Sequence, residues 1–141
     1  MDAAAVNLQT FFSATEKFII PAYQRRYSWG ERQCKELFDD ILHLEENREH
    51  LLGMIIYQTQ TRASTLHENE IVDGQQRTTT ISLLFRAIQN RLEEIDNERF
   101  AHIINQIQTF LYTYVNGRAI KIQLGNMDNS DFQAIINNPK N

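Results

Sequence analysis

Apolar residues along this chain change spacing several times, and the changes predict an α/β layout. Val6 to Phe12 carries a short helical pattern. Lys17-Phe18-Ile19-Ile20 is a compact apolar run stopped by Pro21, which predicts a strand closing into a loop. Ser28 and Glu31 have the S-x-x-E spacing of a helix start, and Cys34, Leu37, Phe38, Ile41 and Leu42 follow in helical phase. Leu51 to Thr59, centred on Gly53-Met54-Ile55-Ile56-Tyr57, predicts a strand. The polar stretch Thr61 to Asn69 predicts a hairpin-like link into another strand, Glu70 to Asp73.

Two long helices are expected next. The first starts after Asp73 and places Ile81, Leu84, Phe85, Ile88, Leu92 and Ile95 on one buried stripe. The second keeps Phe100, Ile103, Ile104, Ile107, Leu111 and Tyr114 in phase and stops at Asn116-Gly117, residues that tolerate left-handed backbone. Ala119 to Leu124 predicts a short strand, Asp128 to Ile136 a last helix, and Asn137 to Asn141 a boundary. The expected fold is α/β (α+β): a small mixed sheet packed with several helices.

Composition narrows the class. A chain of 141 residues with 42% hydrophobic and 23% charged content suits a single domain, 1–141, with a real core. No apolar run of about 18 residues occurs, so no membrane span is expected. Met1 to Ala5 lacks the basic start and apolar stretch of a signal peptide, and Cys34 is the one cysteine. The cytoplasm is the expected compartment. A net charge of −4 argues against non-specific coating of nucleic acid. The charge is segregated, however, with Arg25, Arg26, Arg32 and Lys35 close together.

The chemistry concentrates in two elbows. At Ile71-Val72-Asp73-Gly74-Gln75-Gln76-Arg77-Thr78 a strand breaks into a helix. Unpaired amides and the helix dipole at such a point favour an anion such as phosphate. Asp73 and Gln76 also have capping-box spacing, so a purely structural role for the turn stands beside the binding one. A carboxylate at the cap would repel a phosphate on the same amides. The two coexist if Asp73 instead holds a sugar hydroxyl, a metal-bound water or the nucleophilic water, with Arg77 as counter-charge. Thr78, Thr79 and Thr80 either offer a hydroxyl to a ligand or back-bond to the first turn.

The second elbow is Pro21-Ala22-Tyr23-Gln24-Arg25-Arg26-Tyr27-Ser28-Trp29. Aromatic faces stack on bases, and arginine pairs with phosphate at two points. Trp29 reads as a packing anchor for the next helix. Gln24 and Arg25, a polar pair in a Pro-led loop, have no packing purpose and read as ligand groups. Cys34 reads as a small buried residue.

Taken together, Ile20 to Trp29 resembles the I-P-x-Y-Q-R-x-Y-x-W signature, and Asp73 to Arg77 the D-G-Q-Q-R motif, of the N-terminal domain of GmrSD-type (type IV) restriction enzymes. Leu37-Phe38-Asp39-Asp40-Ile41, Leu52 to Ile56, Lys121-Ile122-Gln123-Leu124, Asp128 and Asp131-Phe132 are similar too, so the resemblance spans roughly residues 5 to 138. It implies a ParB/sulfiredoxin-like fold that binds and hydrolyses a nucleoside triphosphate, ahead of a C-terminal HNH-type nuclease domain, in systems that cut modified phage DNA.

Carried onto this chain, the resemblance implies nucleotide binding by Tyr23, Gln24, Arg25, Gly74, Gln75, Gln76, Arg77 and Thr78. Asp73, Gln76 and Gln24 are the expected catalytic groups, and Asp73 the expected contact for Mg2+. Arg25, Arg26 and Tyr27 are the expected DNA contacts. The expected function is that of a nucleotide-hydrolysing regulatory or sensor domain. The alternative is a non-enzymatic module that senses modified DNA through Tyr23 to Trp29. A homodimer is left open. Thr78 stands where an apolar residue often follows the arginine, and no His-Asn-His pattern occurs, so DNA cutting by that route is not expected of this chain.

Overall fold

The computed structural model describes residues 3–22, 26–42, 54–61, 67–114 and 117–138. In chain order the elements are β1 (Ala3–Asn7), α1 (Leu8–Ser13), β2 (Phe18–Ile20), α2 (Glu31–Leu42), β3 (Met54–Thr61), β4 (His67–Asp73), α3 (Gln75–Asp96), α4 (Ala101–Leu111), β5 (Tyr112–Thr113), β6 (Ala119–Ile120), β7 (Ile122–Leu124) and α5 (Asn129–Asn137). The main sheet has the order β1-β3-β4-β2-β7, and β5 and β6 form a separate two-stranded ribbon. Strand β3 is antiparallel to β1 and β4, whereas β2 is parallel to β4 and β7. The expected mixed α/β architecture is therefore present, and it is compatible with a ParB/sulfiredoxin-like sheet. Because β2, β4 and β7 run the same way, the segments after Ile20, Asp73 and Leu124 leave the same end of the sheet. In open α/β sheets that is the end where ligands gather.

The core follows from the apolar residues. Ile55, Ile71 and Ile122 point inward from three strands, and Phe11, Phe18 and Ile136 close over them. Aromatic rings link the layers. Phe110 lies 5.1 Å from Phe85, Phe85 5.3 Å from Phe12, Phe12 5.0 Å from Phe11, and Phe11 4.4 Å from Phe18. Such pairs add about 0.5–1.5 kcal/mol each beyond their buried area, so the two-turn α1 is held by its neighbours rather than by its own length.

Several boundaries differ from the periodicity. The expected helix at Val6 to Phe12 is a strand as far as Asn7, because Ala3–Asn7 pairs with β3. Asn7 then caps α1, its side chain accepting from the Thr10 amide at 2.8 Å. Strand β4 begins at His67, inside the stretch read as a link, and the hairpin pairing with β3 sets that limit. The helix expected to run to Asn116 stops at Leu111, because Tyr112–Thr113 pairs with Ala119–Ile120. The expected strand Ala119 to Leu124 divides at Lys121 between two sheets. On α3, Thr78, Thr79, Thr80 and Ser82 are buried while Ile88 and Ile95 are exposed. The first turns are enclosed on several sides, so position along the helix outweighs residue type. The expected strand start at 51–53, the stop at residue 116, the link at 62–66 and the boundary at 139–141 lie outside the described residues.

Lys121 joins these layers. Its side chain is 1% exposed. The ammonium donates to the carbonyls of Phe12 and Thr109, in the last turns of α1 and α4. Its amide donates to Leu111 at 2.9 Å, and its carbonyl accepts from Phe18 at 2.7 Å. Helix C-termini present orphan carbonyls and partial negative charge, and one buried cation serves two of them.

Burial pulls this ammonium from its ordinary 10.5 down to about 8. Between those values the unfolded chain holds more protons than the folded one, so this group adds stability as pH rises through the window. Lys121→Met should cost about 1–3 kcal/mol at neutral pH by orphaning the two carbonyls. Its deficit against the wild type should widen from about pH 7 to about pH 9.5. Urea unfolding of both proteins at both pH values checks this, and a deficit that narrows contradicts it.

Candidate functional site

The turn from β4 into α3 is built on Gly74. Its φ is +93°, and a Cβ there would lie 2.7 Å from Ile55 Cδ1. The left-handed backbone makes glycine necessary, and any Cβ would also displace the tip of the Ile55 side chain. Gly74 is the N-cap of α3, and Asp73 remains the last residue of β4. The capping box that Asp73 and Gln76 would allow is not formed, because the Gln76 side chain crosses to another segment. The first helical bond runs from Thr78 N to Gly74 O at 2.9 Å. The amides of Gln76 and Arg77 precede it and meet no acceptor among the described residues. This is the donor-rich, dipole-favoured geometry expected for an anion.

Gln76 binds the loop ahead of α2 by its backbone. Its Oε1 accepts from Ser28 N at 2.8 Å and from Trp29 N at 3.3 Å, while Nε2 donates to Arg26 O at 3.2 Å. Main-chain N–H groups only donate and carbonyls only accept, so the orientation of the amide follows. Tyr27 adds a second tie. The Thr80 hydroxyl donates to Gln76 O at 2.8 Å, which leaves it to accept from Tyr27 OH at 2.8 Å. Cys34 Sγ on α2 lies 3.4 Å from the same Tyr27 oxygen. Burial, helped by the Cys34 contact, pushes the phenol up to about 12.

A third tie comes from Asp128, just before α5. Its two carboxylate oxygens accept from Arg26 Nη2 and, at 3.2 Å, from Arg26 Nε, and the second also accepts from Tyr27 N at 3.2 Å. The hydrogen bonds from Arg26 hold the Asp128 carboxyl below its usual range, and Asp128 in turn raises the guanidinium. This tie is therefore intact above the ordinary carboxylate range and is lost as pH falls through the lowered folded value. Sequence reasoning gave Asp128 no site role. Its signal was the match of Asp128 and Asp131-Phe132 to the family pattern.

The remaining candidates divide by environment. Asp73 is exposed, and no described residue donates to its carboxylate. Arg77 is half-buried and forms no ion pair with a described residue. Gln75 Nε2 closes the turn on Val72 O at 3.1 Å. Thr78 is 0% exposed, and its hydroxyl lies 3.0 Å from Gly74 O and 3.1 Å from Gln75 O. Of the two readings open for the threonines, back-bonding is the one their geometry shows. Trp29 packs against the core, as an anchor would. Tyr23, Gln24 and Arg25 lie outside the described residues. Among the described residues no three His, Cys, Asp or Glu side chains gather as a metal site. Beside the junction a cleft of about 240 Å3 is lined by Tyr27, Thr79, Leu83, Leu124, Asp131 and Phe132, among others.

A mixed sheet whose parallel strand ends carry two motif-bearing elbows, joined by a glutamine clamp, defines the class. The chain belongs to the family of the GmrSD restriction endonuclease N-terminal domain, whose model it matches over residues 8–141. Its setting is restriction, an antiviral defence. No curated protein matches the chain. No helix among the described residues is long and apolar enough to cross a membrane.

Gln76→Ala should cost roughly 1–3 kcal/mol, since three partly hydrated hydrogen bonds are lost. Gln76→Glu keeps the acceptor and loses only the donor to Arg26, so its loss should be smaller. Urea unfolding of the three proteins checks the order, and equal stability of all three would exclude the clamp.

Proposed function

We propose that this domain binds a nucleoside triphosphate against the N-terminus of α3 and hydrolyses it, as the regulatory part of a modification-dependent anti-phage restriction enzyme. The observation that supports it most is the α3 start itself. A glycine cap leaves the amides of Gln76 and Arg77 without a described acceptor, beside an Arg77 side chain with no ion pair among the described residues and an exposed Asp73. In this reading the amides from Gly74 to Gln76 cradle phosphate oxygens and Arg77 supplies counter-charge, joined by Tyr23, Gln24 and Arg25 from the other elbow.

The Gln76 side chain is taken up by the loop. We therefore assign it to bracing and give the orientation of water to Gln24. Asp73 acts as base toward a water that attacks the γ-phosphorus. The bond from the γ-phosphorus to the β–γ bridging oxygen breaks, the nucleoside diphosphate leaves with that electron pair, and the water oxygen ends in inorganic phosphate. A bound Mg2+ would supply charge neutralisation on the phosphates, with Asp73 as its one protein carboxylate here. Tyr27 OH is bonded to Thr80 and the exposed Arg26 head group to Asp128, which favours this reading over DNA sensing by the Tyr23 to Trp29 loop alone. Modified DNA and a C-terminal nuclease domain are the partners of the whole enzyme in this proposal, and the cytoplasm its compartment.

Labelled nucleotide with magnesium tests it. Arg77→Ala should weaken binding about tenfold or more with little change in melting temperature. Asp73→Asn should retain binding and lose phosphate release. Equal nucleotide affinity of wild type and Arg77→Ala would remove the site from α3.

A further inference from the structure

We propose that the cleft at the opposite end of the sheet is a second anion site, built to take a phosphate group. Lys17 immediately precedes β2, and Ala119–Ile120 precedes β7 by one residue. The motif elbows follow the C-terminal ends of β2 and β4, so strands roughly 10 Å long separate the two sites. The cleft has a volume of about 330 Å3 and is lined by Lys17, Arg118, Tyr112, Gln133 and Asn137 among others, with no Asp or Glu among its described lining residues. That volume lies within the range of small-molecule pockets.

The charged side chains lining this cleft, Lys17 and Arg118, are both cations. Neither Lys17 nor Arg118 forms an ion pair with a described residue. Arg118 is held rather than loose, its Cζ 3.8 Å above the centre of the Tyr112 ring. Tyr112 is itself fixed, its hydroxyl 3.1 Å from Ile136 O and 3.0 Å from Asn137 Oδ1. The single hydroxyl proton goes to the Ile136 carbonyl, which can only accept, so the Asn137 amide meets the tyrosine oxygen as a donor and is held there. Gln133 adds an amide without a described partner. Two cations and the Gln133 amide, with no carboxylate among the described lining residues, stand against the net −4 of the chain. A concave site of one sign focuses potential and concentrates the opposite charge. A planar guanidinium pre-positioned on a ring loses less freedom when it binds a tetrahedral oxyanion than a free lysine would.

The phosphate could belong to a nucleic-acid backbone or to a free phosphate compound, and the two arms of one experiment separate them. In the first, inorganic phosphate is titrated into the 141-residue chain and backbone amide resonances are followed. Resonances of Arg118, Gln133 and Asn137 should move. Arg118→Gln should weaken that effect about tenfold and Lys17→Gln by a few-fold. Lys17 is exposed, so its variant keeps the test standing if Arg118→Gln uncovers Tyr112 and unfolds the protein. Arg77→Ala should leave these shifts unchanged, so failure here and failure of the α3 site read out separately.

In the second arm a short DNA duplex is titrated at several salt concentrations. If backbone phosphate is the ligand, Arg118→Gln lowers the slope of log affinity against log salt by about one. If only free phosphate binds, the slope stays and the phosphate shifts persist. Cleft resonances that move with neither probe, or that move equally in wild type and both variants, overturn the proposal.

Discussion

One side-chain amide fixes the distance between the two motifs. Gln76 stands on the first turn of α3 and satisfies two donors and one acceptor of a loop about fifty residues away in sequence. The amide offers both a donor and an acceptor at one end, which an ionised carboxylate or an ammonium does not, so neither could reproduce all three bonds. The Tyr27 hydroxyl and the Arg26–Asp128 pair then tie the same loop to α3 and to the start of α5. Each tie alone is modest on the surface of a small domain. Together they hold Arg26 to Trp29 against α3 and the start of α5. Any ligand group on that segment inherits its position from this clamp.

The other end of the sheet is organised by a cation instead. Lys121 sits between β6 and β7, and its backbone and side chain together reach α1, α4 and β2. A buried ammonium is costly by itself. Here its main-chain partners are helix-end carbonyls, which are also costly to bury unpaired. The two penalties offset each other, and the apolar Phe11–Phe12–Phe18 layer packs around the result. The division of the Ala119 to Leu124 segment follows from the same geometry. Its residue 121 turns inward to collect carbonyls, so the segment changes sheets there.

Much of this was legible before any coordinates. The α/β class, the strand-glycine-helix elbow, the β3–β4 hairpin and the apolar core of α4 at Ile104, Ile107 and Leu111 follow from spacing. What spacing misses is burial of polar residues. Thr78, Thr79, Thr80 and Ser82 lie in the enclosed part of α3 while Ile88 and Ile95 lie in the open part. A periodic pattern reports which face is apolar, not how deeply each turn is covered. Strand pairing is equally hidden. Nothing local to Ala3–Asn7 or Tyr112–Thr113 announces the partner that makes each a strand. At the site, sequence supplied Gln76 and Asp73 as neighbours in one motif and left a shared cap open beside a binding role. The structure separates them, sending one to the loop and leaving the other at the strand end.

That separation removes the electrostatic conflict between an acidic residue and an anion at the same turn. Had Asp73 been the N-cap, its carboxylate would occupy the α3 amides and repel a phosphate placed there. With Gly74 in that position the amides carry no side-chain acceptor, and the acid is displaced by one residue onto β4. The glycine is required by its φ of +93°, and a Cβ there would also push the end of the Ile55 side chain aside. The same backbone constraint that ends the strand thus divides the turn into a donor surface and an adjacent acid. A pocket that holds phosphate while presenting a base or metal contact needs that division, and a helix capped by its own aspartate would not provide it.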